Sequence, residues 1–136
     1  MLSILLSLAL AAPAGPCADA KTTVAMDICL DKVSAAADAE MARYLAAARK
    51  RAAADNQGLA GAIDLAQAQW LDFRKAECAA VYAYWQGGTI RGAMFHNCRI
   101  DLTRARTHWL WKTWLTYPDS TPPILPEPGV SADGTS

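Results

Sequence analysis

Four cysteines, Cys17, Cys29, Cys78 and Cys98, and two histidines, His96 and His108, are the side chains here best suited to redox, metal or nucleophilic chemistry. Their spacing argues against most of it. No two cysteines stand two to four residues apart, as zinc modules require, so no metal site is expected. There is no Cys-x-x-Cys redox or haem pair, no Gly-x-Ser-x-Gly elbow and no phosphate-binding glycine loop. Gly87-Gly88-Thr89-Ile90-Arg91-Gly92 is rich in glycine but follows a helical pattern rather than a strand, and so fails as a nucleotide loop. The nearest carboxylate pairs, Asp38 with Glu40 and Asp72 with Glu77, do not share a helical face well enough for paired acid–base work. The expectation is a protein without enzymatic activity or cofactor. What remains for the cysteines is cross-linking.

Four cysteines allow three pairings. Pairing neighbours, Cys17–Cys29 and Cys78–Cys98, closes two short loops, each contributing about 3 kcal/mol in the chain-entropy account. Cys78 and Cys98 also lie at similar distances either side of the Gly87-Gly88 corner, facing each other across a hairpin, where a bridge of ~5.5–6 Å between Cα atoms is geometrically reasonable.

Two polar features could serve recognition. In the run Gln67-Ala68-Gln69-Trp70-Leu71-Asp72-Phe73-Arg74-Lys75-Ala76-Glu77-Cys78, Glu77 falls on the apolar seam, where an unpaired carboxylate would be costly. Arg74, one turn earlier, is placed to pair with it. The pair reads either as a partly buried ion pair that fixes helix register or as a polar hot spot for a partner. The segment from Arg91 to Trp114 carries Arg91, Arg99, Arg104, Arg106 and Lys112 against Asp101, with Trp109, Trp111 and Trp114 interleaved. It could meet an anionic membrane surface, nucleic acid or an acidic protein surface. That would make the chain a non-inhibitory interaction or structural domain binding an envelope protein or the membrane. The simpler account is one solvated and one core face, its charge answered by Asp27, Asp31, Asp38 and Glu40.

Helices must position these groups. Between Val24 and Ala54 there is neither Pro nor Gly, and Leu30, Val33, Ala37, Met41, Tyr44, Ala48 and Ala52 recur in steps of three and four. Thr22 or Thr23 can cap this helix, and Asp55-Asn56-Gln57-Gly58 ends it. A second helix, from Leu59 to Tyr84 or Trp85, has its seam at Ile63, Ala66, Trp70, Phe73, Glu77, Ala80 and Tyr84. After the glycine corner, with Thr89 as cap, a third helix from Ile90 to Trp114 has its seam at Phe95, Cys98, Leu102, Ala105 and Trp109. Gly92 weakens its first turn. Of Trp111 and Trp114, at least one should be exposed or cover the end of the bundle. Short connections make neighbours antiparallel, so the fold class is all-α: an antiparallel three-helix bundle with two disulfides.

The ends differ in kind. Residues 1–14 read as a signal peptide: the apolar run Leu2–Leu10 is far shorter than the roughly 20 residues a bilayer requires. Small residues offer cleavage after Ala11 or Ala14. Pro16 precedes Cys17 where a lipid-anchor cysteine wants a small residue, so a lipoprotein is not expected. The protein should be periplasmic or secreted. Residues 117–136, with five of the seven prolines, read as a disordered tail. Thirteen basic and thirteen acidic residues balance, against a protein that coats nucleic acid.

The run from Ala66 to Cys78 around Trp70, with Phe73, Arg74 and Glu77, resembles the signature of the LprI-like family, exported bacterial domains associated with lysozyme inhibition. Other pieces follow in order: Cys17, then Thr23, Met26 and Cys29; Ala37-Asp38-Ala39-Glu40-Met41 with Tyr44; the Gly87-Gly88-Thr89 corner; and Cys98 with Leu102, Thr103 and Arg106. The resemblance covers about Cys17 to Leu110, and the folded domain is set at 17–116. It implies an exported helical domain with two intramolecular disulfides, no enzymatic activity and a protein partner, with lysozyme as the named candidate. Gly87, Gly88 and Thr89 are the candidate loop for entering a substrate cleft. A monomer is expected.

Overall fold

The computed structural model describes residues 15–129. The leader read at 1–14 and the final residues 130–136 lie outside them. Three helices, α1 (Thr23–Asp55), α2 (Gln57–Tyr84) and α3 (Arg91–Leu110), run up, down and up, and one π-helical turn, Trp111–Leu115, extends α3. Cross-helix contacts fix the directions. Asp38 meets Arg74 while Arg49 meets Asp64, so α1 and α2 are antiparallel. Asp31 approaches His96 and Asp38 meets Arg99, so α1 and α3 run parallel. The bundle and both expected disulfides are present, with Cα separations of 5.9 Å for Cys17–Cys29 and 5.6 Å for Cys78–Cys98.

The boundaries follow from local chemistry. Thr22 accepts a hydrogen bond from the Ala25 N–H at 3.0 Å and starts α1. One extended residue, Asn56, separates α1 from α2: its N–H bonds to the Ala52 carbonyl at 2.9 Å, and its side chain accepts from the Gly58 N–H at 2.9 Å. It therefore closes one helix and opens the next. Thr89, expected as the cap of α3, does not act as one; Ile90 holds that position without a side-chain bond. The Asp27 carboxylate of α1 instead lies against Gly92 in the first turn of α3, where the helix dipole favours negative charge. A Cβ at Gly92 would collide with it. Glycine there is a condition of close helix approach, not merely a weak spot.

The seam of α1 is nearly the one its sequence shows, with Leu30, Ala37, Met41, Tyr44, Ala48 and Ala52 buried. The other two seams are rotated. On α2 the inward positions are Ile63, Gln67, Trp70, Arg74 and Cys78; Phe73, Glu77, Ala80 and Tyr84 face solvent. On α3 they are Ile100, Thr103, Thr107 and Leu110, whereas Trp109 is exposed and Ala105 faces out. Trp111 and Trp114 both pack partly buried on the Met41–Tyr44–Leu115 cluster. Apolar periodicity misleads here because polar side chains occupy inward positions: the Thr107 hydroxyl donates to the Thr103 carbonyl at 2.9 Å, closing its own bond within the helix.

Over its described part, Tyr117–Gly129, the proline-rich segment has neither helix nor strand, as its composition implies, but it does not hang free. It forms a strap against the bundle, which corrects the expectation of disorder over that stretch. Leu125 packs on the lower core, the Ile124 N–H bonds to the Leu115 carbonyl at 2.9 Å, and the Trp111 indole donates to the Leu125 carbonyl at 2.9 Å. The Tyr44 hydroxyl donates to the Pro126 carbonyl at 2.6 Å, and His108 meets Glu127 at 2.9 Å. Prolines lower the entropy lost on docking, so a few contacts suffice. Arg51 joins strap to bundle: it donates to the Trp114 and Thr116 carbonyls at 2.6 and 2.7 Å and lies 4.1 Å from the Tyr117 ring centre. Those carbonyls would otherwise be orphaned at a helix end.

Burial pushes the Tyr44 hydroxyl above its ordinary value of 10.0, against the pull of Arg43 and with a further push from Glu40. It keeps its proton, and its bond, through neutral pH. The stabilisation is complete below 10 and fades as pH climbs through the raised value. Tyr44→Phe should cost about 1 kcal/mol in urea unfolding, the net worth of one hydrogen bond, and should speed proteolytic cleavage within Pro118–Pro128.

Candidate functional site

The signature residues of α2 divide between inside and outside. Gln67, Trp70 and Arg74 stand at spacings of three and four, one face of the helix, and they meet α1 and α3 together. Arg74 donates to Asp38 of α1 and, at 2.5 Å, to the Thr103 hydroxyl of α3, with only 11% of its side chain exposed. Arg99 reaches the other oxygen of Asp38 at 2.9 Å. About two turns of α2 away, Arg106 donates to the Gln67 side-chain Oε1 at 3.0 Å, and the Gln67 Nε2 points at the Met41 sulfur, 3.6 Å away. The Trp70 ring lies between two guanidiniums, Arg74 at 5.1 Å and Arg106 at 5.9 Å from its centre. Burial lowers the pKa of Arg106.

Glu77 is exposed and takes no part. The ion pair expected within α2 is replaced by one between helices, because Arg74 faces inward and Asp38 is the carboxylate across from it. Two of the basic residues of α3, Arg99 and Arg106, likewise point into the bundle. Asp38 answers that charge, as the sequence suggests; Asp31 approaches His96 at 3.9 Å instead. The arrangement holds three helices in register. Neither histidine is hydrogen-bonded to a hydroxyl or thiol among the described residues, and no group of three or more His, Cys, Asp and Glu that could hold a metal occurs among them.

The second candidate surface is the end of the bundle where α2 turns into α3. Trp85–Ile90 form a tight corner, with the Gly88 N–H bonded to the Trp85 carbonyl at 2.8 Å. A Cβ on Gly87 would meet nothing within 4 Å, so this glycine is not demanded by packing. Around the corner stand apolar side chains that the fold leaves open: Tyr84 is 82% exposed, Val24 67%, and Tyr82 and Ile90 about half as much as Tyr84. A bowl of about 510 Å³ opens beside it, with Phe95 and His96 from α3 and walls from Val24 and Tyr82. Arg91 stiffens the rim, donating to the Tyr82 hydroxyl at 3.0 Å and the Gln86 carbonyl at 3.3 Å. The disulfide Cys78–Cys98 ties the two helices behind the corner. Tyr82 and Val24 were not singled out by sequence, and Tyr84 was placed on the apolar seam of α2; an aromatic at a helix end looks the same in a core as on a rim.

The family model described as lysozyme inhibitor LprI matches residues 16–110, most of the chain. The chain belongs to this family. The match takes in both disulfides, the polar ladder between the helices and the glycine corner, and stops at the last residue of α3 before the π turn and strap. No match was found among curated proteins or among solved structures. Family membership and two closed disulfides agree in pointing to a protein that works outside the reducing cytoplasm.

The division of the LprI signature is testable by stability. Trp70→Ala should cost about 3 kcal/mol or more in chemical unfolding. Phe73→Ser and Glu77→Gln, on the solvent side of the same helix, should stay within about 0.5 kcal/mol of the parent.

Proposed function

We propose that this protein is an extracytoplasmic inhibitor of lysozyme that binds by presenting the Gly87-Gly88-Thr89 corner to the enzyme's cleft. The observation that carries this reading is the exposed aromatic end: Tyr84 stands out in solvent beside a glycine turn that nothing else crowds. Aromatic side chains on a rigid support are the usual anchors of a protein interface. A corner held from behind by a disulfide loses little freedom on binding. LprI family membership supplies the partner class, and inhibition by obstruction needs no chemistry from the inhibitor. Phe73 and Glu77, exposed on α2, would lie outside such a contact or at its edge. The same reading makes the protein a secreted or periplasmic monomer rather than a lipoprotein.

A second reading, contact with an anionic membrane surface through α3, has less behind it, since Arg99 and Arg106 are engaged by Asp38 and Gln67 within the bundle.

The test is lysis of cell walls by lysozymes of several types with oxidised protein added. The parent should inhibit at least one type. Tyr84→Ala and Gly87→Glu should each raise the concentration for half-inhibition about tenfold or more, the scale of an interface hot spot, without moving the melting temperature. No inhibition by the parent at large molar excess would remove the reading, and full inhibition by both variants would remove the corner from it.

A further inference from the structure

A second cleft, of about 610 Å³, lies on the opposite flank of the N-terminal end, between α1 and α3 and under the connector Gly15–Thr22. Its volume is that of a small-molecule site, typically ~300–1,000 Å³. Its walls are aliphatic: Met26, Leu30 and Val33 from α1, and Ala93, Met94 and Ile100 from α3. The Cys17–Cys29 disulfide pins the connector beside it, with Cys17, Leu30 and Ile100 forming the small core beneath. No aromatic ring lines it, so it suits a flexible chain better than a flat ring.

Charge decides what the chain should carry. Lys21 and Arg104 line the cleft, are exposed, and have no ion-pair partner among the described residues. Of the two carboxylates in the lining, Asp27 is turned against Gly92 at the start of α3, which leaves Asp101 alone against two cations. We propose that this cleft binds a single-chain amphiphile, one aliphatic tail ending in a carboxylate, of the kind represented by a long-chain fatty acid. The tail lies along the aliphatic walls and the carboxylate meets Lys21 and Arg104. The cleft adjoins the corner, sharing Thr89 and Ile90 with it, but lies over the α1–α3 face and does not depend on lysozyme binding.

Palmitate, below its aggregation limit, is titrated into the oxidised exported protein by calorimetry and native mass spectrometry. The expected result is one palmitate per chain, with hexadecanol, the same tail without the charge, at least about tenfold weaker. Lys21→Glu with Arg104→Glu, both on the surface, should weaken palmitate by about tenfold or more at unchanged helix content. Ala93→Phe should fill the cleft and abolish binding; the surface variant decides the matter if that chain does not fold. No palmitate bound by the folded parent would overturn the proposal, as would equal binding of palmitate to the parent and to the charge-reversed variant.

Discussion

Arg74 carries a full charge into the seam where three helices meet, and a charge taken out of water must be answered on the spot. Asp38 and Thr103 answer it from the two other helices, and Arg99 takes up the remaining oxygen of Asp38. Each partner accepts only one rotation of its helix. Turning α2 by one position would put Glu77 inward and strand the guanidinium. Much of the rest follows from that constraint, including the placing of Trp70 between Arg74 and Arg106 and the solvent exposure of Phe73. A polar node of this kind specifies an arrangement more than it stabilises one, since apolar groups of the same shape can pack as well.

Stability has to come from elsewhere, and the core offers little. Several of its buried positions are alanines, Ala37, Ala48 and Ala52, which bury small areas but let α1 come close to its neighbours. Two disulfides limit the freedom of the unfolded chain, and the strap adds Leu125 and its hydrogen bonds to the lower core. The molecule is thus held at both ends by different means, covalently near the connector and the corner, and by the strap at the far end. Rigidity at the corner is what an inhibitor that works by shape would need.

Much of this was legible in the sequence, and the failures share one cause. Helix number, boundaries to within a few residues, the face of α1, the cysteine pairing and the family were all readable. Apolar spacing and turn residues are local signals. The faces of α2 and α3 were not readable from apolar spacing, because Gln67, Arg74, Thr103 and Thr107 point inward and Phe73, Tyr84 and Trp109 point out. Satisfying a buried polar group requires knowing which group stands across from it, and that is tertiary information. The clue was present: Gln67, Trp70 and Arg74 share a helical face, a stripe that a search restricted to apolar residues passes over. The strap was missed for a related reason, since its binding rests on backbone carbonyls that composition does not reveal.

The central claim is that Arg74 and Asp38 act as one unit in holding the helices in register. A double-mutant cycle of Arg74→Gln and Asp38→Asn, read by urea unfolding of the oxidised protein, measures that directly. The account predicts that each single change costs about 2–4 kcal/mol and that the double change costs clearly less than their sum, by about 1 kcal/mol or more. Single changes within about 0.5 kcal/mol of the parent, adding independently in the double variant, would contradict it.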